Sequence, residues 1–131
     1  LGEAKVVKEG GDVTIIAIQS MVYQALEAAE VLGKEGIDVE IIDPRTLIPL
    51  DKKRIKDSVA KTGRVVIAHE GPKRGGAGAE ISAVISEHFF SLLKAPIVRV
   101  GAANCPIPFS MEQYILPDKT GIIDAVRSIV K

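Results

Sequence analysis

The sequence predicts an α/β fold: a three-layer α/β/α sandwich on a mixed five-stranded sheet, with one strand antiparallel to the rest. Three observations carry that expectation. Short apolar runs alternate with stretches whose apolar residues recur at helical spacing, the pattern of βαβ units. The chain has 131 residues, 47% of them hydrophobic, enough for one compact core and not comfortably for two, so residues 1–131 are read as a single domain. Strand–helix–strand connections impose parallel strands with right-handed crossovers, whereas the short Gly10-Gly11 stretch between the first two runs predicts an antiparallel hairpin.

Strands are expected at about Ala4 to Glu9, Val13 to Gln19, Val39 to Asp43, Arg64 to His69 and Ile97 to Val100. Between the second and third, Met21, Ala25, Ala28, Ala29 and Leu32 mark one helical face, with Ser20 placed as N-cap and Gly36 as the stop. A second helix starts from Asp51 as N-cap, turns Ile55 and Val59 inward and closes at Thr62-Gly63. The third helix shows the strongest stripe, Ile81, Val84, Ile85, His88, Phe89 and Leu92, which predicts packing on the sheet. After Val100 the stretch GAANCPIPFSMEQYILPDKTG has three prolines and no periodicity, so it reads as a long loop. A last helix carries Ile122, Ile123, Val126, Ile129 and Val130 on its apolar side.

Charge and composition narrow the function. Seventeen basic and seventeen acidic residues cancel without long blocks, which argues against nucleic acid or an anionic membrane as partner. No apolar run approaches the roughly 20 residues of a membrane span, and no signal-peptide layout stands at the N-terminus, so a soluble protein is expected. The single cysteine, Cys105, provides neither a disulfide nor a metal-ligand spacing, and no neighbouring base activates it. Because Leu1 stands first and a strand follows within a few residues, the chain reads as a piece of something longer.

Ligands in such sheets sit at the carboxyl edge of the strands, and three strands deliver polar residues there: Gln19-Ser20, Asp43 and His69-Glu70. Ser20, Asp43 and His69 could form a hydrolytic triad, although AIQSMV lacks the G-x-S-x-G elbow and Ser20 also suits a plain N-cap. A magnesium-binding acidic cluster of the kind phosphorylated receiver domains need is missing, since the second strand ends in glutamine and serine. The loop GPKRGGAGAE, between a strand and a helix, could hold an anion with Lys73 and Arg74 beside free backbone N–H groups. Its spacing matches neither phosphate-loop nor dinucleotide fingerprints. Gly75, Gly76 and Gly78 are equally explained by positive φ and close packing. His88 reads as a core or interface histidine, and Arg45 as a guanidinium able to bridge a carboxylate.

Taken in order, GGDVTIIAIQSMVYQALEAAEVL, DVEIIDPRTLIPLD, KTGRVVIAHEGPKRGGAGAEIS, APIVRVGAANCPIPFS and YILPD resemble the C-terminal domain of the β subunit of 2-oxo acid dehydrogenase decarboxylase components. These are the thiamine-dependent enzymes of pyruvate, branched-chain and acetoin dehydrogenase complexes, and the same module closes transketolases. The resemblance covers essentially the whole chain and implies the fold predicted above. It further implies a domain that is not catalytic alone. Thiamine diphosphate and magnesium are then held outside it, by the preceding domain and the α subunit. Its expected partners are the α subunit and a second β subunit in an α₂β₂ assembly, and the peripheral-subunit-binding domain of the dihydrolipoyl acyltransferase. Docking is expected near the last helix, at Ile122, Val126, Ile129 and Lys131, and His69, Glu70, Lys73, Arg74, Gly75, Gly76 and Gly78 form the possible anion or interface loop. The implied compartment is the cytoplasm of a prokaryote or the mitochondrial matrix of a eukaryote. Family members commonly show glycine where this chain has Gln19, histidine at Tyr23 and phenylalanine at Ala77.

Overall fold

The computed structural model describes residues 2–103, 110 and 116–130. Its elements are β1 (Lys5–Lys8), β2 (Val13–Ala17), α1 (Met21–Lys34), β3 (Val39–Asp43), α2 (Lys52–Thr62), β4 (Val65–Pro72), α3 (Ala77–Phe89) with a 3₁₀ turn at Phe90–Leu92, β5 (Val98–Ala102) and α4 (Lys119–Ile129). Among the described residues the sheet has five strands in the order β1-β3-β2-β4-β5, and only β1 runs antiparallel to its neighbour. Strand alternation then sorts the core into two layers. Val13, Ile15, Ala17, Ile41, Val66 and Ala68 face α1 and α4, whereas Ile16, Val65 and Ile67 face α2 and α3. Each fully buried isoleucine contributes roughly 1.5–3 kcal/mol by leaving water, and both the strands (Ile15, Ile16, Ile41, Ile42, Ile67) and the helices (Ile55, Ile81, Ile85, Ile122) supply them.

The hairpin expectation is corrected. β1 pairs with β3, Lys5 opposite Asp43, and β3 lies between β1 and β2. Gly10-Gly11 therefore does not turn between paired strands. It carries the chain across the amino end of β3, so close that a Cβ on Gly10 would collide with the Val39 carbonyl group. Gly11 N donates to Asp38 Oδ2 at 3.0 Å and Asp38 N to Asp12 Oδ2 at 2.7 Å, fixing the crossing. Two glycines signal a tight path in either case, and the pairing partner is decided by the non-local insertion of β3.

The helix ends follow their sequence signals in part. Asp51 caps α2, accepting from Arg54 N at 3.1 Å, and its other oxygen accepts from Ala4 N at 2.8 Å. Gly63 closes that helix in the left-handed region with φ 70°. In α3 the buried face is Gly78, Ile81, Ile85 and Phe89. His88, expected in the core or at an interface, is exposed and not in the core, because Phe89 takes the inward position at the end of that stripe. Cys105 and most of the proline-containing loop lie outside the described residues.

Candidate functional site

The chain order reverses between β2 and β4, so the carboxyl ends of these strands form the place where α/β sheets hold ligands. β2 ends at Ala17 and passes through Ile18 and Gln19 into α1. β4 reaches Ala68 in register with β2, then bulges before Pro72 pairs with Ala102 of β5. His69, Glu70 and Gly71 lie in that bulge.

Adjacent residues of the bulge turn to opposite sides of the sheet. Glu70 meets the amino end of α1, where its Oε1 accepts the Ser20 hydroxyl hydrogen bond. Ser20 is consequently not the side-chain cap of α1, a second correction to the expectation above. His69 turns toward α3 and is only 2% exposed. Its imidazole lies among four glycines: a Cβ on Gly71 would stand 3.2 Å from Nδ1, on Gly76 2.9 Å from Cε1, on Gly78 2.5 Å from Cδ2 and on Gly101 3.3 Å from Cε1. The ring thus occupies the volume those side chains would need. Burial, reinforced by the Arg99 guanidinium, holds its pKa below the ordinary 6.5, so it stays neutral at pH 7. Nε2 is buried without a hydrogen-bond partner.

This geometry rules out the triad. Ser20 and His69 lie on opposite sides of the sheet, Ser20 is bonded to Glu70, and Asp43 Oδ1 accepts from Arg45 N at 2.9 Å rather than from an imidazole. Of the residues expected in an anion or interface loop, His69 belongs to the core and Glu70 is bonded to Ser20 at the start of α1. Lys73 and Arg74 are exposed at the tip of the loop, and Arg99 Nη1 donates to the Lys73 carbonyl. Gly75 has φ 71°, a Cβ on Gly76 would collide with the Pro72 carbonyl oxygen as well as crowd His69, and one on Gly78 would collide with His69.

The docking residues also change meaning. Ile122 and Val126 are fully buried and Ile129 is 7% exposed, all within the core layer shared with α1. An amphipathic stripe on a terminal helix is bound by its own sheet first. What α4 presents outward is polar: Lys119, Asp124, Arg127 and Ser128. Arg127 is held to Glu35 of α1 by a two-pronged pair, 3.1 Å and 2.6 Å, which also lowers the Glu35 carboxyl pKa. Lys131 lies outside the described residues.

Sequence reasoning passed over two features. Large apolar side chains stand in solvent, Ile48 at 92%, Tyr23 and Phe90 at 72%. Among the described residues, two other than glycine adopt left-handed backbone, Gln19 at φ 54° and Arg45 at φ 62°. The commonness of glycine at position 19 in the family was the available signal. For such a residue the left-handed region costs about 1–2 kcal/mol, partly offset by the extra unfolded-state entropy of glycine. Gln19→Gly is expected to stabilise the chain by about 0.5–1 kcal/mol, raising the thermal midpoint by roughly 2–4 °C. A midpoint that fell in calorimetry would show that the Gln19 side chain contributes more than the backbone loses.

Among the described residues no group of three or more His, Cys, Asp or Glu side chains could hold a metal ion, and no helix is long and apolar enough to cross a membrane. Comparison with known proteins agrees with the fold. The family model for the transketolase C-terminal domain matches residues 2–122. The chain is 44% identical to the 2-oxoisovalerate dehydrogenase subunit beta 2 of Arabidopsis thaliana mitochondria, covering 99% of this chain and 36% of that protein. It is 41% identical to the mitochondrial pyruvate dehydrogenase E1 component subunit beta of Dictyostelium discoideum and 40% identical to the bacterial pyruvate dehydrogenase E1 component subunit beta of Staphylococcus epidermidis, over 100% of this chain and 37% and 41% of theirs. It therefore spans well under half the length of these relatives, which include mitochondrial and bacterial forms. A solved structure described as a split-gene transketolase, inactive β4 tetramer, superposes with a TM-score of 0.85 at 36% identity, over 98% of this chain and 41% of that one. A 2-oxoglutarate:ferredoxin oxidoreductase from Magnetococcus marinus shares the fold alone, at 18% identity and a TM-score of 0.63 over 98% of this chain and 19% of that one. Matched along nearly its whole length, the chain belongs to the transketolase C-terminal domain family, and its sequence likeness is to the E1 β subunits within it.

Proposed function

We propose that this chain is the assembly and partner-contact domain of a 2-oxo acid dehydrogenase E1 β subunit, in an enzyme that decarboxylates a 2-oxo acid oxidatively and passes the acyl group to a lipoyl carrier. One observation carries the reading: the polar groups at the sheet's carboxyl edge serve the chain's own fold. Ser20 is bonded to Glu70, Asp43 Oδ1 fixes the Arg45 turn, and His69 is caged away from both, so Ser20, Asp43 and His69 are not assembled into a hydrolytic triad. Meanwhile Tyr23, Ile48 and Phe90 expose area of the kind that interfaces bury.

The described residues do not fit a magnesium-bound diphosphate, because they bring no carboxylate cluster together. Thiamine diphosphate and magnesium are accordingly assigned to the rest of the enzyme. The domain would contribute contacts to the α subunit and to a second β subunit, in the cytoplasm of a bacterium or in the mitochondrial matrix. A peripheral-subunit-binding domain of the acyltransferase would meet the polar side of α4, at Lys119, Asp124, Arg127 and Ser128, and not the buried Ile122, Val126 and Ile129.

Two measurements test this. The 131-residue chain alone is expected to show no calorimetric binding of thiamine diphosphate with magnesium and no decarboxylation of pyruvate or branched 2-oxo acids; turnover by the chain alone would overturn the reading. In an E1 β subunit carrying this domain, Ile48→Ser with Tyr23→Ser is expected to weaken assembly with the α subunit by about tenfold or more. Sedimentation profiles that did not change would remove the assembly role.

A further inference from the structure

Beside the closed switch point lies a separate cavity of about 500 Å³, one strand further along the carboxyl edge, between the ends of β2 and β3. Ile18, Pro44 and Leu47 give it an apolar wall, and Asp43 and Arg45 give it one carboxylate and one guanidinium. Both left-handed residues of the described chain other than glycine, Gln19 and Arg45, line this cavity. Unfavourable backbone of this kind persists where the surroundings impose it, commonly at ligand clamps.

The turn that bears Arg45 is tied down while its side chain is not. Asp43 Oδ1 accepts from Arg45 N at 2.9 Å, Pro44 O accepts from Thr46 N at 2.6 Å, and Pro49 O accepts from the Thr46 hydroxyl at 2.7 Å. The Arg45 guanidinium makes no ion pair or hydrogen bond among the described residues. Among the described residues Asp43 makes no ion pair either, so the two opposite charges line one cavity without pairing with each other. A cation alone would suit a simple carboxylate or phosphate. A separated cation and anion beside an apolar wall suit a ligand that carries both charges and a hydrocarbon group.

We propose that this cavity binds a zwitterionic α-amino acid with an apolar side chain: its carboxylate on Arg45, its ammonium on Asp43 and its side chain against Ile18, Pro44 and Leu47. The proposal does not depend on the assembly reading, and Asp43 holds the Arg45 turn through Oδ1 while also lining the cavity. The volume exceeds what one such amino acid fills, so water completes the shell of the charged groups.

Heteronuclear NMR titration of the 131-residue chain with L-leucine tests the assignment, with 4-methylpentanoate and isoamylamine as probes that carry only one of the two charges. L-leucine is expected to shift the amides of Gln19 and residues 43–47 saturably, and each single-charge probe to bind about tenfold more weakly or worse. Arg45→Gln is expected to abolish leucine and 4-methylpentanoate binding. Asp43→Asn, which still accepts the Arg45 N–H, is expected to weaken leucine about tenfold and leave 4-methylpentanoate unchanged. Absence of saturable leucine shifts, leucine binding to Arg45→Gln within twofold of the parent, or 4-methylpentanoate binding as tightly as leucine would each overturn the proposal.

Discussion

Gly78→Ala is expected to destabilise the chain by about 2–3 kcal/mol, opposite in sign to what helix propensity alone predicts. Position 78 lies in the first turn of α3, where alanine should gain up to about 1 kcal/mol over glycine. Against that, the new methyl would stand 2.5 Å from His69 Cδ2, and the ring cannot withdraw because Gly71, Gly76 and Gly101 close its other sides. Packing wins because overfilling a rigid core costs more than propensity returns. The decisive measurement is a double-mutant cycle by urea denaturation. In a His69→Ala background the space reopens, and Gly78→Ala is expected to become neutral or stabilising, a coupling of about 2 kcal/mol or more. Additivity to within about 0.5 kcal/mol would refute the caged-ring account. The same histidine contributes a pH dependence. Its folded pKa lies below 6.5, so the unfolded chain takes up the proton first as acid is added. Its stabilisation is complete above about 6.5 and declines as pH falls toward the folded value, and His69→Ala removes that part of the profile.

That corner also shows what the residues alone could convey. AHEGPKRGGAGAE identified a strand-to-helix corner with crowded glycines, because glycines ahead of an amphipathic stripe signal close approach whatever the approaching group is. It could not identify the group as the imidazole of His69, which depends on α3 folding back over β4 and on β5 lying alongside. The βαβ alternation, the Asp51 cap and the Gly63 stop were legible because each is settled within one turn of chain. Ser20 was not: a hydroxyl at a helix start can cap or reach elsewhere, and Glu70, fifty residues away, took it. The apolar stripe of α4 was legible as a stripe, but whether it faces a partner or its own sheet is a tertiary matter, and here the sheet claims it. Left-handed backbone at Gln19 and Arg45 leaves no mark in the residue types themselves.

Glu40→Ala is expected to cost about 3–5 kcal/mol, the largest single-site loss outside the apolar core. Glu40 sits near the start of β3 with its side chain 3% exposed, on the side of the sheet covered by α2. Its Oε1 accepts from Gly10 N at 3.2 Å and from Lys61 Nζ, and Ser58 bonds it from α2. Thr14 extends the cluster, its hydroxyl 2.6 Å from Ser58 Oγ and 2.7 Å from Thr62 Oγ1. These bonds join β2, β3, α2 and the Gly10 crossing at the amino edge, so removing the carboxylate strands several donors at once. Burial pushes the Glu40 carboxyl pKa up, but Lys61, Ser58 and the Gly10 N–H outweigh it and hold the group below its usual 4.5. A depressed folded pKa means that the contribution is present above pH 4.5 and is lost as pH falls from there toward the folded value. Glu40→Gln keeps an acceptor for Gly10 N, so it should cost less, about 1–2 kcal/mol at pH 7, and should flatten this acid limb. Lys61→Met separates charge pairing from burial. With the ammonium gone, the leading influence that lowers the carboxyl pKa is lost, the folded pKa moves upward, and the loss of stability on acidification should shrink relative to the parent. Urea midpoints from pH 3.5 to 8 would decide it: a Lys61→Met curve parallel to that of the parent would mean that the ammonium does not hold the carboxylate in its charged form.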